Sequence, residues 1–448
     1  MSAPNLAADP RPQSDVSAGV GLAGLAGLAF WLLVCRDWGA IADAFALPGP
    51  HHIMDGPYAA LAAVVFSGTP MVLWSVFVEK VHRRASTGID WDNPRPRSQV
   101  IEVSITKLAG LWATWALIAA FYALARWYWD GSYLFAMDVL SAAAPLLFVA
   151  SIPYVLWLDR VLVEPRDGAW HMGAMLIGRE AWDADEVKRH LRLWAVKGFW
   201  IAFMVSILPF GFEAVVRRDW TGIASNPVVL SSALIDVMFT VDVQIAMVGY
   251  LLTMKPLDAQ IRSANPFLAG WLAALMCYPP FQLMEPGRPL FYQQATQQWF
   301  VWLDGHSALL WIWAIAMTVL TAIYAWATVA FGLRFSNLTY RGVLTNGPYA
   351  WTRHPAYLSK NLFWWLETLP FLVTTHLLSD AIRNTVALAL VSATYYWRAK
   401  TEEAHLLSED ARYREYHAWM TRNAPLTRWM HKAGRALRPR GMQVQPAE

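Results

Sequence analysis

Cysteine is nearly absent from this 448-residue chain: Cys35 and Cys277 are its whole complement. Two thiols so far apart exclude a disulfide scaffold, and by themselves they cannot build a zinc cluster. Charge is scarce too. Asp, Glu, Lys and Arg make up 15% of the residues, against about 25% in a soluble globular chain. The net charge of +3 is too small for nucleic acid as the main partner. What is abundant is apolar surface: 56% hydrophobic residues and a mean hydropathy of +0.30. Such a composition excludes disorder, collagen and a coiled coil. Twenty-six Trp and sixteen Tyr suit a protein with two membrane interfaces, where amphipathic rings sit at headgroup level. The composition predicts an all-α, polytopic integral membrane protein.

A helix needs roughly 20 apolar residues to cross the hydrocarbon core. Ten stretches qualify: about 18–35, 58–79, 108–127, 135–158, 197–216, 228–254, 266–284, 307–333, 361–377 and 381–397. The first resembles a signal-peptide core, but Arg11 lies between Asp9 and Asp15 and Val34 precedes Cys35, so it reads as a retained anchor. Basic residues gather after the even-numbered spans, as in Lys80-Arg83-Arg84 and Arg334-Arg341-Arg353. Ten spans with both termini in the cytoplasm satisfy that alternation, in the inner or plasma membrane if the source is bacterial.

The chain divides by character. Residues 1–16 are polar and read as a disordered cytoplasmic tail. Residues 17–304 read as an accessory membrane domain of about seven helices, with a cytoplasmic loop over 159–195 that carries an amphipathic helix, WDADEVKRHLRLW. Residues 305–430 are denser in chemically useful groups, and 431–448 form a basic tail suited to anionic lipid.

The segment 341–360, RGVLTNGPYAWTRHPAYLSK, carries the strongest local signals. Asn346-Gly347-Pro348 is a turn. Pro355 keeps His354 out of helical geometry and suits the first turn of the next helix. Arg353 and His354 therefore sit at the mouth of a span, beside a helix N-terminus that favours anions. A two-span hairpin then returns the chain, so Thr401-Glu402-Glu403 emerges level with Arg353-His354. Glu402 and Glu403 point about 100° apart on a helix, so one can face a ligand while the other pairs with an Arg.

In order, GPYAWTRHPAYLSKNLFWWL, KTEEAHLL and YREY (413–416) resemble the isoprenylcysteine carboxyl methyltransferase family and its bacterial phospholipid-methyltransferase-like relatives, over about residues 305–430. Two positions depart from that pattern: Leu358 replaces a small residue, and Ser408-Glu409-Asp410-Ala411 replaces a Phe-Gly stretch. The resemblance implies a carboxy-terminal helical module that binds S-adenosylmethionine at the cytoplasmic face and methylates a lipid or lipid-linked acceptor. It implies that Gly347, Tyr349, His354, Pro355, Tyr357, Glu402 and Glu403 surround the cofactor, with Arg353 and His354 as catalytic candidates. Trp364 and Glu367, inside the hairpin, are candidates for the acceptor pocket. A carboxylate acceptor is already ionised near neutral pH and needs no base; an amine would need one, and His354 is the candidate. An NADPH-dependent membrane reductase of similar architecture, with Tyr357 polarising a carbonyl, and a non-enzymatic transporter or scaffold are the alternatives. The spans before residue 305 would shape acceptor access or form a homo-oligomer contact.

Other features have plainer readings. Asp236 and Asp242 are about 120° apart around one helix and do not make a joint ion site; a headgroup pocket or interhelical hydrogen bonds suit them. Tyr413 and Tyr416 read as packing residues. His51-His52 reads as plain loop, with no metal. The aromatic, Gln-rich stretch 279–306 lies on the far side of the membrane or re-enters it.

Overall fold

The computed structural model describes residues 11–178, 181–372 and 377–428. The basic tail 431–448 and residues 1–10 lie outside them. Helices run in the order α1 (Ala18–Arg36), α2 (Trp38–Ala44), α3 (Pro57–Leu73), α4 (Arg97–Leu124), α5 (Tyr133–Asp159), α6 (Gly168–Ile177) and α7 (Ala184–Arg217). They continue as α8 (Pro227–Leu251), α9 (Leu268–Leu275), α10 (Trp299–Trp302), α11 (Ser307–Phe331), α12 (Pro355–Thr368), α13 (Leu378–Glu409) and α14 (Ala411–Asn423). The strand pairing is minimal: β1 (Ser263–Ala264) lies antiparallel to β2 (Thr339–Tyr340), Ser263 opposite Tyr340. The fold is all-α, as the composition requires.

Seven helices among the described residues are long and apolar enough to cross a membrane, not ten: α1, α3 with its continuation to Val78, α4, α5, α7, α8 and α11 with its continuation to Arg334. The other three expected spans take different forms. Over 266–284 only the eight residues of α9 are helical, because Pro279-Pro280 lacks two amide donors and stops the ladder. Over 361–377 the helix starts earlier, at Pro355, and ends at Thr368 before Leu369 at φ +43°. Its fourteen residues reach about 21 Å, short of a full crossing. The stretch 381–397 lies inside α13, whose 32 residues run on into the charged Arg398–Glu409 turns. The amphipathic sequence of the 159–195 loop is likewise no separate helix. It forms the first turns of α7, capped by Asp183, which accepts from the Asp185 and Glu186 amides.

Small residues set the closest helix approaches, as van der Waals packing in lipid demands. A Cβ on Gly27 of α1 would lie 2.0 Å from Phe66 O of α3, and one on Gly21 would lie 2.3 Å from Val329 O of α11. Helix α1 is thus wedged between α3 and α11 as an integral part of the bundle. Helix α8 packs along α11 and contributes the buried Tyr250 to the floor of the carboxy-terminal region.

Residues 12–16, expected to belong to a loose tail, are instead strapped across the segment after α11. The Asp15 amide donates to Val343 O at 2.9 Å, and its carboxylate accepts from Val343 N and from Arg412 Nη1, both at 2.8 Å. Thr345 Oγ1 donates to Pro12 O at 2.7 Å. The cause is charge: Arg334, 3.6 Å away, and Arg412 converge on one carboxylate. Burial pushes that carboxyl up, but these bonds hold it below the usual carboxylate range. Gly342, at φ +116°, leaves the room; a Cβ there would lie 2.6 Å from Asp15 Oδ2.

Candidate active site

Local sequence rules build the first wall. Asn346-Gly347-Pro348 opens a short 3-10 turn, Gly347–Ala350, with Gly347 at φ +56° against Trp326. Pro355 then occupies the first helical position of α12, and His354 stands just before it outside helical geometry. Helix α12 therefore presents Ala356, Tyr357 and Lys360 to a cavity of about 170 Å³. Helix α13 supplies Tyr395, Arg398, Glu402 and His405 from the opposite side. Tyr349, Arg353, His354, Tyr413 and Tyr416 complete the rim.

The paired glutamates diverge. Glu403 is 5% exposed and turned into a knot of cations. Its Oε1 accepts from Arg353 Nε at 2.8 Å and lies 3.0 Å from His354 Nε2, while Oε2 accepts from Lys400 Nζ at 2.6 Å. Arg353 Nη1 also donates to Thr421 Oγ1 of α14 at 3.0 Å. Burial pushes the Glu403 carboxyl up, but His354, Arg353 and Lys400 outweigh it and hold the group well below the usual range. Glu402 instead lines the cavity. Its Oε1 accepts from Tyr357 OH and from Arg398 Nε at 3.3 Å. No partner lies within hydrogen-bond distance of its Oε2 among the described residues.

Arg398, 2% exposed, is the hub of the deeper end. Its Nη2 donates to Asn337 Oδ1 at 2.5 Å, and its guanidinium lies over the Tyr357 ring, 5.0 Å from the centroid. Tyr357 is stacked on His354 with ring planes 6° apart. Asn337 Nδ2 donates to Tyr250 OH at 2.7 Å and Tyr278 OH at 3.2 Å. Arg341 is buried with no carboxylate partner among the described residues; its guanidinium donates to backbone carbonyls of Ala259, Gly249, Phe335 and Leu333. Burial pushes that guanidinium down to about 9.

The cavity thus brings together Tyr349, Arg353, His354, Tyr357 and Glu402. Gly347 and Pro355 shape the backbone beside it, and Glu403 stands behind it. Trp364 and Glu367 are not on its wall. Trp364 packs on Tyr395, and Glu367 lies near Tyr292, where burial pushes its carboxyl up to about 7. The stretch 279–306 braces that end: Gln294 O accepts from Asn384 Nδ2 at 2.7 Å, and Thr296 Oγ1 donates to Leu372 O at 3.1 Å. Asp242 accepts from Thr328 of α11, and Asp236 pairs with Arg218; both make interhelical contacts. Tyr413 and Tyr416 do pack, with Tyr416 OH donating to Tyr349 O at 2.7 Å, but both also reach the cavity.

Sequence reasoning missed Tyr278, Tyr324, Asn337, Lys360, Tyr395 and His405 as cavity residues. Lys360 alone carried a signal, one turn beyond Tyr357 in a helix whose N-terminal turn was already assigned to the site. No curated protein and no solved structure matches the chain. Residues 307–408 match the model of the isoprenylcysteine carboxyl methyltransferase (ICMT) family, and with the seven apolar helices this match supports an integral membrane protein of methyltransferase type.

Proposed function

We propose that the cavity between α12 and α13 binds S-adenosylmethionine and that the protein methylates a lipid-embedded acceptor at the cytoplasmic face of its membrane. The observation that carries this reading is the convergence of Tyr357, Arg398 and Glu402, all inside the family-matched segment, on one cavity. The donor set suits the cofactor. Glu402 Oε2 is open to accept from an amino group or a hydroxyl, and the Tyr349 ring lines the same space. When bound, the cofactor supplies an activated methyl group.

The chain's own task is then positioning and exclusion of water, which together are worth about 7–11 kcal/mol when geometry is held well. Glu403 locks Arg353 and His354, and through Thr421 ties the rim to α14. Arg398 fixes both the Tyr357 ring and the Glu402 carboxylate. His354 Nε2 lies 3.0 Å from Glu403 Oε1, which orients the imidazole and leaves Nδ1 as the nitrogen that would take a proton from an amine acceptor. A carboxylate acceptor needs no base.

The test is calorimetric titration of S-adenosylmethionine and NADPH into purified protein in detergent, beside Arg353→Ala and Glu402→Ala. Micromolar S-adenosylmethionine binding that Glu402→Ala abolishes is the expected result. Binding of NADPH instead would overturn the reading in favour of a reductase, and binding of neither by folded protein would remove both.

A further inference from the structure

We propose that Lys360 is the specificity-determining residue for the acceptor, selecting an amphiphile with an anionic head group, carboxylate or phosphate. The inference rests on the cavity being the site of methyl transfer.

The cations around the cavity differ in what they hold. Arg334 pairs with Asp258 at 2.6 Å, Arg353 with Glu403 at 2.8 Å and Arg398 with Glu402 at 3.3 Å. Arg341 is consumed by backbone carbonyls. Lys360 lines the same space, yet among the described residues it has no ion pair and no hydrogen bond. Its ammonium faces three rings instead: Trp364 at 5.2 Å, Tyr324 at 5.4 Å and Tyr395 at 5.8 Å from the centroids. Ring faces compensate part of a buried charge, but an ammonium without a counter-ion remains costly. Asp242 on α8 is within electrostatic reach, but its carboxylate is turned to Thr328 and Tyr324 and forms no ion pair with Lys360. A ligand anion supplies what the protein omits.

The surroundings say what carries that anion. Lys360, on α12, faces Tyr324 of α11 and Tyr395 of α13, and α11 and α12 show Ile312, Ile315, Val319 and Leu362 exposed, as lipid-facing helices do. The ammonium stands one turn along α12 from Tyr357, so an acceptor held by it would enter with its chain among the apolar helices and its head group towards Glu402 and Tyr357. A cationic head group would meet Lys360 and Arg398 together and be repelled.

The experiment compares dodecanoate, dodecyl phosphate, dodecanol, dodecyltrimethylammonium and inorganic phosphate by calorimetry in a neutral maltoside detergent, with detergent-only controls. In the unmodified protein one of the anionic amphiphiles should bind at least about tenfold tighter than dodecanol, the usual scale of a charge-assisted hydrogen bond. Lys360→Met should erase that preference, and Lys360→Arg should keep it. Equal binding of anion and alcohol by the unmodified protein overturns the proposal, whether or not Lys360→Met folds. So does a preference that survives in folded Lys360→Met. Inorganic phosphate binding as tightly as dodecyl phosphate would assign the site to a free anion and overturn the amphiphile. S-adenosylmethionine titrated into the same samples separates the two readings. Its failure to bind removes methyl transfer, whereas its binding without anion preference removes only the role of Lys360.

Discussion

Replacing Glu403 with Gln keeps the side chain's shape and removes its charge. Gln would also turn an amide N–H toward the cations that now donate to it. Arg353 at 2.8 Å and Lys400 at 2.6 Å depend on this carboxylate, and the His354 imidazole lies 3.0 Å from it. Breaking a buried pair on one side costs about 3–5 kcal/mol. Lys400 is 45% exposed and can turn to water, whereas Arg353 is 13% exposed and cannot do so fully. The expected loss is therefore at or just below the lower end of that range, roughly 2–4 kcal/mol. Thermal unfolding in detergent should show a midpoint several degrees lower, and S-adenosylmethionine affinity should fall because Tyr357 stacks on the loosened His354. Arg353→Met alone should cost a similar amount. The double variant Arg353→Met/Glu403→Gln should lose clearly less than the two single losses combined, since the pair shares one interaction. Additive losses, or a Glu403→Gln protein as stable as the unmodified one, would refute the view that this carboxylate holds the rim together.

Two further outcomes follow from buried groups. His405 is 1% exposed beside Ser263, and burial, with Arg192 nearby, pushes its imidazole down to about 4. The folded state thus prefers the neutral ring; its contribution is complete above the ordinary 6.5 and falls as pH drops towards 4, by roughly 3 kcal/mol in all. Glu403, held down instead, contributes steadily across that window and loses its share only in stronger acid. Melting midpoints should decline from pH 7 to 5, and His405→Gln should flatten the decline; an unchanged slope would contradict the assignment. In the amino-terminal half, Lys107 Nζ lies 2.5 Å from Asp159, which is 0% exposed, and 3.1 Å from Asp167. Lys107→Met should destabilise by about 3–5 kcal/mol, and adding Asp159→Asn should recover part of the loss in the same melting assay.

Composition alone determined the environment of this protein, because 56% apolar residues with 15% charge have no stable solution in water but a simple one in lipid. Proline and glycine signals determined the local frame of the site: Pro355 starts α12, and Asn346-Gly347-Pro348 turns the chain before it. The 100° offset between neighbouring helical residues meant that Glu402 and Glu403 had to face different partners. Span number was less legible. Hydropathy reads residue type and not hydrogen-bond continuity, so 266–284 scored as a crossing although Pro279-Pro280 ends its helix. Only tertiary structure decided which glutamate faces the cavity, because that depends on how α13 is rotated against α12. It alone brought Tyr278 and Asn337 to Arg398, strapped Asp15 between Arg334 and Arg412, and left Lys360 among three rings with no ion pair among the described residues. The Arg398 and Asp15 contacts join residues 61 to 397 positions apart, for which a linear sequence carries the chemistry but not the distance.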